Sequence, residues 1–318
     1  MNKVFSGMRD ICFRVYNKIM QKMSNFLFRD ILTTPSVKTD QNAKTVLYSA
    51  LNNVNVNAYI LAAKSFLRFC PNVSVVVQDD GDLTEQSKRA IREHIDGVII
   101  YSRESMFDVI DERINNDVKQ LLPSKDEYFQ FTPIRILYLK CISVIARFPE
   151  RKVIFMDSDM IFIRPPEFII KWIDDESCGD FYGEGGSYLA KRFHGMGFPF
   201  KTLDISNFNS GLIGLAYYGN QESLANTLRV IREKDPGVMY EWEIEQSVWS
   251  VLMSERDNPV NLDSLRDVYI GSGWRSFDDL VTNAIVAHFV GAIRFKNFRY
   301  LRLARKVVSE LKESYSRE

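Results

Sequence analysis

Asp157 and Asp159 stand two residues apart in "VIFMDSDM", with Ser158 between them, at the end of an apolar run. Burying one unpaired carboxylate is costly, and two like charges at one place cost more. A positive partner is therefore expected. Carboxylate oxygens are hard ligands suited to Mg²⁺, Mn²⁺ or Ca²⁺, and residues two apart can both turn toward one point where a strand ends. Two carboxylates leave most of an octahedral shell open, and a diphosphate could fill part of it. A second chemistry fits the same pair, a phosphoaspartate hydrolase with the first Asp as nucleophile and the second as acid/base. That motif normally continues with a small Thr or Val and opens its domain. Here Met160 and Ile161 follow, and a long α/β pattern comes first.

The elements that must position the pair are short apolar runs separated by helical patterns. "TVLYSALNN" (45–53) reads as a strand ending in two Asn, and "AYILAAKSFLRFC" (58–70) as a helix stopped by Pro71. "VSVVVQDDG" (73–81) reads as a strand, "LTEQSKRAIREHI" (83–95) as a helix capped by Thr84 or Asp82, and "GVIIYS" (97–102) as a strand. Residues 104–131 read as irregular or loosely helical, and a helix runs from about Pro133 to Arg147 before "KVIFMDSDM". Nearly continuous apolar strands alternating with helices predict a parallel sheet covered on both faces. In such sheets ligands sit beyond the carboxyl ends of the strands, which is where Asp157 and Asp159 fall. Downstream, "PPEFIIKWI" opens a helix on prolines, and "DFYGEGG" and "FNSGLIGLAY" (208–217) read as strands. "NQESLANTLRVIRE" and "EWEIEQSVWSVLMSE" read as helices, and "TNAIVAHFVGAIRF" (282–295) as a strand running into a loop.

Composition narrows the function classes. The 318 residues are 46% hydrophobic and 26% charged, with a formal net charge of zero, so no global basic field points to nucleic acid. Cys12, Cys70, Cys141 and Cys178 are widely spaced, with no metal-ligand spacing, and read as free thiols in a reducing compartment. No apolar run is long enough for a transmembrane helix, and Arg9, Asp10, Arg14 and Lys18 interrupt the N-terminus too often for a secretory signal. Residues 1–38 carry seven Lys/Arg against two Asp, and Met8, Cys12, Val15, Ile19, Met23 and Phe26 recur at helical spacing. Two readings fit this basic amphipathic pattern: it docks on an anionic membrane or a partner, or it packs on the main domain. The tail "NFRYLRLARKVVSELKESYSRE" is a second basic amphipathic helix.

Five short motifs follow one another in a set order: strand-Asn-Asn (Asn52, Asn53), Asp-Ser-Asp, Asn-Ser-Gly (Asn209, Ser210, Gly211), Glu-Gln (Glu245, Gln246) and "HFVG" from His288. In that order they resemble glycosyltransferases of the GT-A fold. They are most similar to the glycogenin-like retaining family (family 8-like), which includes bacterial lipopolysaccharide galactosyltransferases. The resemblance covers roughly residues 45–297. It implies a Rossmann-like α/β domain over 41–297, flanked by a basic helical extension at 1–40 and a basic helix at 298–318.

The resemblance implies a site residue by residue. Asp157 and Asp159 match the metal and donor-diphosphate motif, and His288 matches the histidine completing the metal shell; without the other motifs it would read as a core histidine. An imidazole ligand favours Mn²⁺ over Mg²⁺ or Ca²⁺. Asn209, Ser210 and Gly211 match a segment near the sugar, where amide and hydroxyl groups bond sugar hydroxyls and glycine admits the backbone. Glu245 and Gln246 match the pair facing the transferred sugar. Asn52 and Asn53 lie where the family binds base and ribose, and Val56 stands where it often has a stacking Tyr. The family's Lys-Pro-Trp is replaced by "AIRFKNF", so Arg294 or Lys296, near Gly291, is expected on the diphosphate, with Arg135 as a further phosphate or ribose candidate.

These matches lead to a metal-dependent hexosyltransferase using a nucleotide-diphosphate sugar, UDP by family habit, with a glycan or lipid-linked acceptor. Retention is favoured, with Gln246 or a nearby carboxylate bracing the anomeric centre. An inverting enzyme would need a base such as Glu245 or Glu243 on the opposite face. A catalytically inactive nucleotide-sugar-binding scaffold and the phosphoaspartate hydrolase are the alternatives. The expected location is the cytoplasm, with residues 1–38 able to hold the protein on the inner face of a membrane.

Overall fold

The protein is described from a computed structural model, over residues 15–16, 19–122, 138–184, 208–216, 221–235, 237, 244–262, 268–270, 276–290 and 294–315. The strands are β1 (Val37–Lys38), β2 (Thr45–Leu51), β3 (Ser74–Asp79), β4 (Ile95–Asp96), β5 (Ile99–Tyr101), β6 (Lys152–Met156), β7 (Met160–Phe162), β8 (Phe181–Glu184), β9 (Phe208–Leu215), β10 (Val260–Asn261), β11 (Val268–Ile270) and β12 (Val286–His288). A seven-stranded sheet has the order β10-β8-β9-β6-β2-β3-β5. Its centre is parallel, through the pairs β6/β2, β2/β3 and β3/β5. A three-stranded sheet, β11-β12-β7, carries the chain that leaves β6, and β1 pairs with β4.

The nearly continuous apolar strands are explained by a core on each face. Leu47 and Leu51 of β2, Val75 and Val77 of β3, and Ile154 and Met156 of β6 enter one core. Val46 and Tyr48, Val76, and Val153 and Phe155 enter the other. Successive strand residues point to opposite faces, so both sets must be apolar. Helices Val56–Leu67, Glu167–Asp174 and Arg299–Tyr315 cover the first face. Helices Arg103–Arg113, Tyr138–Arg147, Gln221–Lys234 and Ile244–Ser254 cover the second.

Three local expectations change. The stretch after residue 103 is more regular than its mixed composition suggests: Ser102 caps Arg103–Arg113 by accepting from Ser105 N, and Asn115 caps Asn116–Lys119 by accepting from Val118 N. β9 runs antiparallel to both β6 and β8, so the expected mostly parallel sheet has one reversed strand. The strand expected at the head of 282–295 is present but short. Ser276 caps a helix, Phe277–Asn283, with Asp278 and Asp279 in its first turn, and among the described residues of that run the strand is Val286–His288.

Cys70 and Cys141 are buried free thiols and Cys178 is a half-buried one. The segment before β1 joins the first core through Met20, Phe28 and Ile31, as does the C-terminal helix through Tyr300, Leu303, Val307 and Leu311. No described helix is long and apolar enough to cross a membrane.

Candidate metal and diphosphate site

Asp157 and Asp159 lie in the gap between β6 and β7, where the chain passes from the large sheet to the small one. Both backbones are tied down. Asp157 N donates to Gly211 O at 2.8 Å, fixing it to β9, and Asp159 O accepts from Phe289 N at 3.0 Å, fixing it to the residue after β12. The antiparallel pairing of β12 with β7 sets His288 opposite Met160, so its ring reaches back to the carboxylates. His288 Nε2 lies 3.1 Å from Asp159 Oδ1 and 3.6 Å from Asp157 Oδ2. Asp159 and His288 are buried, whereas the Asp157 side chain is 45% exposed and opens the group to solvent.

These three residues fit a divalent ion. One donor atom from each lies within 4.8 Å of the others. With metal–ligand bonds of about 2.1 Å, adjacent donors on an octahedral ion sit about 3 Å apart, close to the observed spacings. Two carboxylates and one imidazole form a donor set compatible with Mn²⁺. Among the described residues, theirs is the group of acidic, His and Cys side chains that could hold a metal.

Arg294 sits against the other side of Asp159. Its Nη2 donates to Asp159 Oδ2, its Nε to Phe289 O at 3.3 Å, and its Nη1 to Asn55 Oδ1 at 3.0 Å. Asn55 in turn donates to Asn52 Oδ1 at 2.8 Å, so a polar chain runs from Asp159 to the end of β2. Burial alone would raise the Asp159 pKa, but Arg294 and His288 outweigh it and hold the carboxyl well below its usual range. Burial likewise disfavours the His288 imidazolium, yet Asp159 and Asp157 overcome this and push its pKa up to about 9. Without a metal, His288 is therefore protonated at neutral pH.

Gly211 is required where it stands. A β-carbon there would lie 2.1 Å from His288 Cε1 and 2.8 Å from Asn209 Oδ1. Asn209 and Ser210 are buried beside it on β9, and Asn209 Oδ1 accepts from Gly211 N at 2.8 Å. Gln246, half-buried on the helix Ile244–Ser254, brings Oε1 to 3.5 Å from Ser210 N. Glu245, next to it, is buried, and its carbonyl accepts a contact from Cys141 Sγ at 3.8 Å. Three sequence motifs far apart in the chain thus meet at the metal group: Asp-Ser-Asp with half-buried Ser158, Asn-Ser-Gly, and His288.

The two asparagines after β2 part ways. Asn52 joins the chain to Arg294, while Asn53 Oδ1 accepts from Ser87 Oγ at 2.6 Å and its N–H donates to Asp82 Oδ1 at 2.7 Å. Val56, at the position of the family's stacking Tyr, is buried in the core. Arg135, Glu243 and Gly291 lie outside the described residues, as does the side chain of Lys296. Sequence reasoning missed Asn55, which holds the Arg294 guanidinium. The only local signal was its place in an asparagine-rich "NNVN".

The chain is similar to several solved glycosyltransferases. Against the apo structure of WbbM, a bifunctional glycosyltransferase, the TM-score is 0.51 at 13% identity, covering 89% of this chain and 53% of that one. An active-site mutant of LgtC aligns with a TM-score of 0.46 at 14% identity over 83% of this chain and 95% of that one. The glycosyltransferase GlyE of Streptococcus pneumoniae TIGR4 aligns with a TM-score of 0.46 at 13% identity over 87% and 64%. No family model matches the sequence, and no curated protein matches it. At these identities the likeness speaks for the fold, which is the GT-A fold expected from the motif order.

Proposed function

We propose that this GT-A chain transfers a hexose from a nucleotide-diphosphate sugar, UDP in the first instance, to a glycan or lipid-linked acceptor with retention. The observation that carries the reading is the convergence of Asp157, Asp159 and His288 at the carboxyl end of β6, with Arg294 on the same carboxylate. Asp157, Asp159 and His288 would hold the ion, Mn²⁺ by the donor set. When bound, the ion supplies positive charge for the departing diphosphate. Arg294 would add a second positive group in a planar fork suited to phosphate, on giving up one of its bonds to Asp159, Asn55 or Phe289 O. Asn209 and Ser210 offer amide and hydroxyl groups to sugar hydroxyls, and Gln246, whose oxygen lies 3.5 Å from Ser210 N, is beside them. A neutral amide cannot act as the base of an inverting attack, so Gln246 braces the cationic anomeric centre while the acceptor hydroxyl approaches. Asn52 takes part in base or ribose binding through the chain that ends at Arg294.

The testing experiment is thermal unfolding with UDP, GDP, ADP or CMP, each with and without Mn²⁺. A ligand at a hundred times its Kd adds about 2.7 kcal/mol of stability. Stabilisation by UDP that depends on Mn²⁺ and vanishes in Asp159→Asn is the expected result. Turnover with a UDP-hexose panel then follows, with the anomeric configuration of the product read by NMR. No shift with any nucleotide overturns the donor site. Binding without turnover moves the inactive scaffold to the front, a reading favoured by Arg294 already occupying Asp159.

A further inference from the structure

The N-terminal helical segment has two apolar faces, and the core uses only one. Met20, Phe28 and Ile31 are buried. Val15, Ile19, Met23 and Phe26, the stripe visible in the sequence, are instead 53%, 52%, 41% and 56% exposed. The helical bonds Met23 N to Ile19 O and Leu27 N to Met23 O set Ile19 and Met23 on successive turns, with Phe26 three residues further on. Intramolecular packing therefore accounts for the inner face and leaves the outer one unexplained. Isolated exposed apolar residues are ordinary, but a run at helical spacing is not.

A second element adds to this surface. Tyr16 donates to Phe295 O at 3.5 Å, which sets the segment beside the turn leading into the C-terminal helix. In that turn Asn297 and Phe298 have φ of 56° and 54°. The left-handed region is costly for a bulky residue, and here it presents a phenyl ring that is 55% exposed. A fold that sought only to bury Phe298 would not need that conformation.

The charges select the occupant. Lys22 and Arg29 are exposed among the apolar residues, and the Arg29 guanidinium lies 4.4 Å from the centre of the Phe26 ring. Cations outnumber anions seven to two over residues 1–38, in a chain whose net charge is zero. Two copies meeting through this face would bring like charges together. An anionic bilayer would accept both features, since apolar side chains enter the acyl boundary and Lys/Arg meet the headgroups. We infer that Val15, Ile19, Met23, Phe26 and Phe298, with Lys22 and Arg29, form a docking surface for an anionic lipid membrane. The same turn holds Arg294, one residue before Phe295, so docking sets the candidate site close to the bilayer, where a lipid-linked acceptor would be held.

The test needs no turnover and does not depend on the proposed transfer. Full-length protein is sedimented with vesicles of phosphatidylcholine alone and of an equimolar phosphatidylcholine–phosphatidylglycerol mixture. Binding is expected to the mixture and not to phosphatidylcholine. Ile19→Asp with Phe26→Asp should lower the partition coefficient at least about tenfold. Lys22→Glu with Arg29→Glu should lower it more than about fivefold per cation and remove most of its salt dependence. All four positions are exposed, and unchanged melting temperatures would exclude unfolding as the cause. Absence of binding to the mixture, or equal binding by the Ile19/Phe26 variant, overturns the inference. So does a concentration-dependent dimer in sedimentation equilibrium that this variant abolishes, because the face would then be an interface between copies.

Discussion

Asp159 offers one oxygen to His288 and the other to Arg294, so a metal ion can enter only by displacing a proton or a guanidinium. His288 holds its proton up to about pH 9 in the metal-free protein. Mn²⁺ affinity should therefore rise up to about tenfold per pH unit from pH 7 toward 9, and level off above. Calorimetry in buffers of different ionisation enthalpy should show close to one proton released per ion at pH 7, and none in His288→Gln. The same groups set the stability of the metal-free chain. The His288 contribution is complete below its ordinary pKa of 6.5 and is lost as the pH rises through about 9. The Asp159 carboxyl is shifted the other way, so its contribution is present above 3.8 and lost as the pH falls below that. Urea titrations across this range should show a shoulder of lost stability between pH 7 and 9 that His288→Gln removes. Arg294→Gln leaves a buried carboxylate short of a partner and should cost about 3 kcal/mol without metal. Saturating Mn²⁺ should recover much of that, because the ion replaces the missing cation. Gly211→Ala forces a methyl into the imidazole and should cost about 1–3 kcal/mol, with weakened Mn²⁺ binding by calorimetry. Residue types alone pointed to a cation at Asp157 and Asp159, because two carboxylates after a buried strand need one, whereas His288 was singled out only by the order of the motifs. They did not reveal that Arg294 bonds Asp159, since that pair is 135 residues apart and depends on how β12 folds back.

At the scale of elements, the strands and most helices were readable because both faces of the sheet are covered and the apolar runs are unbroken. The cap of Glu85–His94 was also legible. Thr84 accepts from Ser87 N at 3.2 Å, and the same segment anchors Asn53 beside the end of β2. Thr84→Ala should cost about 1 kcal/mol, seen as a lower midpoint in urea with an unchanged slope. Less was readable where the apolar stripe was short. Met106, Phe107, Val109 and Ile110 share one face of Arg103–Arg113 but span little more than one turn between charged residues. The direction of β9 was hidden for a different reason. A strand buried on both faces looks the same in sequence whichever way it runs, and only its pairing with β6 and β8 makes it antiparallel.

At the scale of the molecule, Tyr300 links three distant stretches. Its ring lies 4.4 Å from Phe28 and 4.4 Å from Phe289, which follows the metal-ligand candidate His288. Tyr300→Ala should cost about 3–5 kcal/mol by cavity formation and weaken Mn²⁺ binding as Phe289 loses its support. Tyr300→Phe keeps the ring and should leave both unchanged, since the buried hydroxyl has no hydrogen-bond partner among the described residues. The contact between Tyr16 and Phe295 spans 279 residues. Contacts of such sequence separation slow folding, because the intervening chain must be ordered before they form. During synthesis the first core lacks Tyr300, Leu303, Val307 and Leu311 until the C-terminal helix has left the ribosome. Met20, Phe28 and Ile31 therefore wait for that helix before the core they enter is complete.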